Sequence, residues 1–138
     1  MVYLYAYAST LVMFLLCDMA WLGTMANRVY RPTLGDMMLI SPNLPAAAAF
    51  YGIYPIGLVI FAVLPALKSA SLPEAALSGA LFGFFTYMTY DLTNQATLKG
   101  WPLQVTLADL CWGTFVTAVS AAAACWITGW IGDYLARR

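Results

Sequence analysis

Residues 37–67, 75–90 and 110–132 hold no charged side chain, and between Asp18 and Arg28 there is none either. A helix needs about 20 mostly apolar residues to cross the hydrocarbon of a bilayer. Stretches this long and this apolar leave one outcome, an all-α integral membrane protein, because only helices and closed barrels satisfy every backbone group in lipid. The composition agrees. Charged residues make up 9% of the chain, against about 25% in a soluble domain, and the mean hydropathy is +0.79. The expected architecture is one transmembrane domain over residues 1–138. Its four helices lie at about 2–22, 46–67, 73–94 and 102–131, in an up-down bundle with a long first loop.

The helix ends follow from local signals. Tyr3, Tyr5 and Tyr7 crowd the start of the first helix, and Trp126, Trp130 and Tyr134 mark the exit of the last. Aromatic belts of this kind sit at membrane interfaces. Both belts lie on one side only if the number of spans is even. The start carries no basic n-region or small-residue cleavage site, so a retained first helix is expected. Residues 23–45 are mixed, with Arg28, Arg31, Pro32, Gly35, Asp36, Pro42 and Pro45. They read as a long connection with a short surface helix near residues 34–40. Pro55 should kink the second helix. Glu74 opens the third, where an acidic residue suits the helix dipole. Pro102 suits the first position of the fourth.

Gly79 and Gly83 form a small-xxx-small pair, which lets a second helix backbone come close. They serve either the bundle or a homo-oligomer. Besides membrane lipids, that oligomer is the partner the sequence offers. Net charge is zero, so nothing points to nucleic acid.

The chain has no histidine. That removes the commonest metal ligand and general base, and with it histidine-bound zinc, haem and Ser-His-Asp chemistry. Cys17, Cys111 and Cys125 show no CxxC spacing and read as small buried hydrophobes. No cofactor and no metal site is expected.

What stands out is acidic. Asp18, Asp91 and Asp109 lie within or at the ends of apolar segments. A carboxylate at that depth costs roughly 2.5–3.5 kcal/mol by insertion scales. In an up-down bundle the end of helix 1, the start of helix 2, the end of helix 3 and the start of helix 4 share one level. Asp109 lies about 10 Å inside helix 4 at 1.5 Å per residue. One pocket on the side opposite the termini should therefore gather Asp18, Trp21, Tyr51, Tyr54, Tyr90, Asp91, Thr93, Asn94, Asp109 and Trp112. Two of its contributors echo each other: Asp18-x-x-Trp21 and Asp109-x-x-Trp112 are each followed by Gly-Thr, directly in the second and one residue later in the first. Residues three apart share a helix face.

These residues also carry a resemblance. Asp18-x-x-Trp21-Leu-Gly, Ala48-Ala-Phe-Tyr51-x-x-Tyr54-x-x-Gly57, Tyr90-Asp91-Leu-Thr93-Asn94-x-Ala-Thr97-x-x-Gly100-Trp101 and Asp109-x-x-Trp112-Gly113 resemble a family of small bacterial inner-membrane proteins, domain of unknown function 2177. The resemblance spans nearly the whole chain. It implies a multi-pass protein of the bacterial inner membrane and no particular activity.

Three functions fit such a pocket. It can bind or translocate a proton, a cation or a small amphipathic ligand, as intramembrane carboxylates commonly do. It can be the centre of an enzyme acting on a lipid or isoprenoid, with Asp91 or Asp109 as acid or base and Tyr90 and Asn94 stabilising charge. Carboxylates can hold Mg²⁺, but no Asp-x-x-Asp spacing for a diphosphate is present. Or it can be a polar clamp that holds the bundle end together. The sequence does not decide whether the protein is an enzyme. Basic residues divide evenly, with Arg28, Arg31 and Lys99 on one side and Lys68, Arg137 and Arg138 on the other. The paired arginines tilt the expectation toward cytoplasmic termini.

Overall fold

In the computed structural model, which describes residues 1–137, four helical rods lie antiparallel to their neighbours, and no strand forms among the described residues. Arg138, expected on the side of the termini, lies outside the described residues. The first rod is α1 (Val2–Met25), a widened turn with i→i+5 bonding (Ala26–Tyr30), α2 (Arg31–Leu34) and a tight turn (Gly35–Met37). The second is α3 (Leu44–Leu58), a second widened turn (Val59–Val63) and α4 (Leu64–Ser69). The third and fourth are the single helices α5 (Leu72–Thr97) and α6 (Leu103–Ala136). The rods Val2–Met37, Leu44–Ser69 and Leu103–Ala136 are long and apolar enough to cross a membrane by length and composition. α5, 26 residues long, has the length as well. Its less apolar residues Gly79, Gly83 and Asp91 are buried.

The first connection is more helical than its composition suggests. One glycine inside a helix costs only about 1 kcal/mol, so Gly23 does not end α1. The Thr24 hydroxyl bonds back to the carbonyls of Ala20 and Trp21 at 3.1 and 2.9 Å. The widened turn Ala26–Tyr30 then absorbs Pro32, which has no N–H to give to the carbonyl one turn before it. The helical course ends only after Met37, and residues 38–43 are the true loop. The second rod meets the same problem twice. Pro55 and Pro65 both lie within it, and the widened turn Val59–Val63 falls between them.

The starts of α3 and α5 are capped alike. The Asn43 side chain accepts from the Ala46 N–H at 3.2 Å, and Ser71 accepts from the Glu74 N–H at 3.3 Å. Each pairs a polar cap with a proline in the first turn, where a proline lacks only a bond it could not have made.

The interior divides along the bundle. Toward the termini it is a close assembly of small side chains: Ala6, Ala62, Ala66, Ala75, Ala121 and Ala124 meet Leu58, Val63 and Cys125. Phe14 fills the middle against Phe50, Tyr51 and Tyr54. Beyond it the interior turns polar. The outer surface is apolar, with Leu16, Ile53, Ile60, Leu77, Phe85 and Phe115 all exposed. Polar inside and apolar outside is the arrangement a bilayer favours.

α5 and α6 approach most closely. A methyl group on Gly83 would lie 2.2 Å from the Gly113 carbonyl oxygen, and one on Gly79 2.7 Å from the Ala121 side chain. Gly113 in turn accommodates the Tyr87 ring. Gly79 and Gly83 are thus spent inside the chain. Of the two roles the sequence offers them, they serve the bundle. Of the three cysteines, Cys125 is buried, Cys17 is partly buried and Cys111 is exposed on the outer surface, so only the first fits the reading as a core residue.

Candidate ligand-binding cavity

At the end of the bundle away from the termini, α1, α3 and α6 meet on one carboxylate. Asp18, 6% exposed, accepts from the Tyr51 hydroxyl at 2.5 Å and from the Trp112 indole N–H at 2.9 Å. Each oxygen therefore has a donor from a different helix. A typical hydrogen bond contributes about 0.5–1.5 kcal/mol net, and the two together make this residue a three-helix junction. Asp109 is held differently. It accepts from the Tyr30 hydroxyl, which in turn accepts from the Trp21 indole at 2.9 Å. Trp21 and Trp112 stack face to face, centroids 4.4 Å apart and 7° from parallel. The two Asp-x-x-Trp segments are thus crossed: Asp18 bonds the other segment's tryptophan directly, and Asp109 reaches the other through Tyr30.

Around this frame lies a cavity of about 310 Å³, bounded by Asp18, Trp21, Tyr30, Tyr87, Tyr90, Trp101, Asp109 and Trp112. The segment after α1 adds Ala26, Leu34 and Met38 to its lining. A second cavity of about 400 Å³ is lined by Phe50, Tyr54, Thr86, Tyr87, Tyr90 and Asp109. Tyr87, Tyr90 and Asp109 belong to both. Tyr54 is fixed at its wall by hydroxyl contacts to Thr86 at 3.0 Å and Thr117 at 3.2 Å.

The turn between α5 and α6 is stapled from within. The Trp101 indole donates to the Thr106 hydroxyl at 3.0 Å, which donates to the Gln95 carbonyl oxygen at 3.0 Å. The Gln95 amide donates to the Trp101 carbonyl at 3.2 Å. Gly100 takes φ +75° to make the turn, a conformation that suits glycine. The result sets Trp101 edge-on to Tyr90, 5.8 Å between centroids, in the cavity wall.

Of the ten residues expected in one pocket, five line the first cavity: Asp18, Trp21, Tyr90, Asp109 and Trp112. Tyr54 lines the second, and Tyr51 stands behind Asp18 as its donor. The remaining three lie elsewhere. Asp91 is fully buried, and neither of its oxygens has a hydrogen-bond partner. It continues the Gly83–Tyr87 stripe, which faces α6. With Gly83 against Gly113 and Gln95 against Thr106, Asp91 falls in the helix seam and lines neither cavity. Thr93, two residues on and so on the opposite side of the helix, is exposed and bonds its own backbone at Thr89 and Tyr90. Asn94 also lines neither cavity. Reading α5 as one polar end overlooked that its successive residues point 100° apart.

Three lining residues went unforeseen. Tyr87 lies one helical turn beyond Gly83, and Trp101 lies in the turn before Pro102. Tyr30 had no periodic signal at all, since its partner Asp109 is 79 residues away. Among the described residues no three histidine, cysteine or acidic side chains come together as a metal-holding group.

The sequence matches the family described as a predicted membrane protein, DUF2177, over residues 3–126, and the chain belongs to that family. No curated protein and no solved structure matches it.

Proposed function

We propose that this family member binds a small amphipathic molecule taken from the bilayer. Its polar end would lie at Asp109 in the first cavity and its apolar part in the second. The observation that carries this reading is the junction of the two cavities: one bearing the Asp18 and Asp109 carboxylates, one walled by Phe50 and Tyr54, with Asp109 common to both. Their volumes fall within the usual range for small-molecule sites. The clamp and binding functions are then divided between carboxylates. Asp18 has both oxygens committed to holding helices together, and Asp109 retains access to a ligand. We also propose that the protein lies in the bacterial inner membrane, as the family resemblance implies.

The test uses intrinsic fluorescence. Trp126 and Trp130 are changed to Phe, which leaves Trp21, Trp101 and Trp112 at the cavity. A short amphiphile with a brominated chain should quench these saturably. Thr86→Phe, which fills the second cavity, should abolish saturation. Linear quenching that is identical in both proteins would overturn the proposal. Incubation with a lipid extract tests the enzyme reading separately, since a new lipid product would make the cavity an active site.

A further inference from the structure

The chemistry of the cavity wall indicates the charge of its occupant. Two carboxylates, Asp18 and Asp109, face a space otherwise bounded by indole and phenol rings and by the aliphatic side chains of Leu22, Leu34, Met38 and Val105. Among the described residues no lysine or arginine lines either cavity. An anionic head group would meet like charge there with no counter-ion. An uncharged one would leave the Asp109 carboxylate with the Tyr30 hydroxyl as its donor and no counter-charge in a low-dielectric setting, where an unpaired charge is costly. A cation meets both needs.

The kind of cation follows from the rings. Aromatic faces attract cations through the negative face of the ring quadrupole, and several rings around one space form the usual recognition of quaternary and substituted ammonium groups. Here Trp21 and Trp112 are stacked at one wall, and Trp101 and Tyr90 meet edge to face at another. A hard metal ion seeks several oxygen ligands, and here both oxygens of Asp18 already accept protein hydrogen bonds. Asp109 has committed one oxygen to Tyr30. A single carboxylate oxygen with several aromatic faces suits a bulky, weakly hydrated organic cation.

We propose that the occupant's polar end is an organic ammonium group, held by Asp109 and by the rings of Tyr90, Trp101 and Trp112. This rests on the amphiphile reading above and names the head group that reading leaves open.

The probes are hexyltrimethylammonium, hexanol and hexyl sulfate. They are titrated into the full chain in an uncharged maltoside detergent and read by the cavity tryptophans in the Trp126→Phe, Trp130→Phe background. The expected result is saturable binding of the ammonium, roughly tenfold or more tighter than hexanol, with the sulfate weakest. Asp109→Asn should remove the ammonium's advantage and leave hexanol unchanged. Tyr90→Leu, on an exposed side chain, should weaken the ammonium several-fold and hexanol not at all. This second variant decides the matter even if Asp109→Asn fails to fold. Equal affinities for ammonium and hexanol, or an ammonium advantage that survives both variants, would overturn the head-group assignment and leave the amphiphile reading standing. If no probe binds saturably, the amphiphile reading itself fails.

Discussion

Asp18 and Asp91 are the same side chain in two opposed situations. Asp18 has a donor on each oxygen, whereas Asp91 has none and is fully buried. Their removal should therefore have opposite effects. Asp18→Ala strands the Tyr51 hydroxyl and the Trp112 indole and should cost roughly 2–4 kcal/mol. Asp91→Ala deletes an unpartnered polar group from a helix seam and should raise stability by roughly 1–3 kcal/mol. Unfolding in detergent, followed by circular dichroism, reads both. A destabilised Asp91→Ala would mean that the carboxyl has a partner in the membrane-embedded protein. At this scale the sequence identified which residues were costly. It could not tell which were compensated, because the donors Tyr51 and Trp112 lie 33 and 94 residues from Asp18.

Helix contacts follow from glycine and from backbone turns. Gly83→Ala places a carbon 2.2 Å from the Gly113 carbonyl oxygen, a backbone atom that can yield only if the helices part. The cost should be about 3 kcal/mol or more, seen as a lowered melting temperature in detergent. Unchanged stability would mean that α5 and α6 do not pack this way. A change of the opposite sign is available at the end of α4. Ala70 adopts φ 51°, a left-handed conformation that costs a residue with a Cβ roughly 1–2 kcal/mol. Ala70 and Ser71 both donate to the Ala66 carbonyl there, the bonding that a C-terminal glycine usually supports. Ala70→Gly should stabilise the fold by about 1 kcal/mol, partly offset by the flexibility glycine brings to the unfolded chain. Equilibrium unfolding checks the sign. Helix lengths were broadly legible from the charge-free stretches. The course of residues 23–37 was not, because prolines and glycine read as loop signals while the widened turn Ala26–Tyr30 absorbs Pro32 and lets the helical course run on.

For the whole molecule, four antiparallel rods put both chain ends on one face of the membrane. Reporters fused at the two ends should therefore show the same sidedness, and opposite sidedness would refute the bundle. That the chain folds as a membrane helical bundle was determined by the sequence alone. Stretches without charge leave the backbone no other way to satisfy its hydrogen bonds in lipid, and this constraint acts locally, residue by residue. The common depth of Asp18, Tyr54 and Asp109 also followed, since helix direction alternates with each span. Rotation about each helix axis was decided only by the tertiary structure. The close contact of Gly83 with Gly113 turns α5 so that Asp91 enters the seam and Tyr87 and Tyr90 enter the cavities. The folding-back of Tyr30 onto Asp109 likewise depends on where α6 stands relative to the end of α1. Depth is set by counting residues along a chain, but facing is set by which neighbours pack most closely.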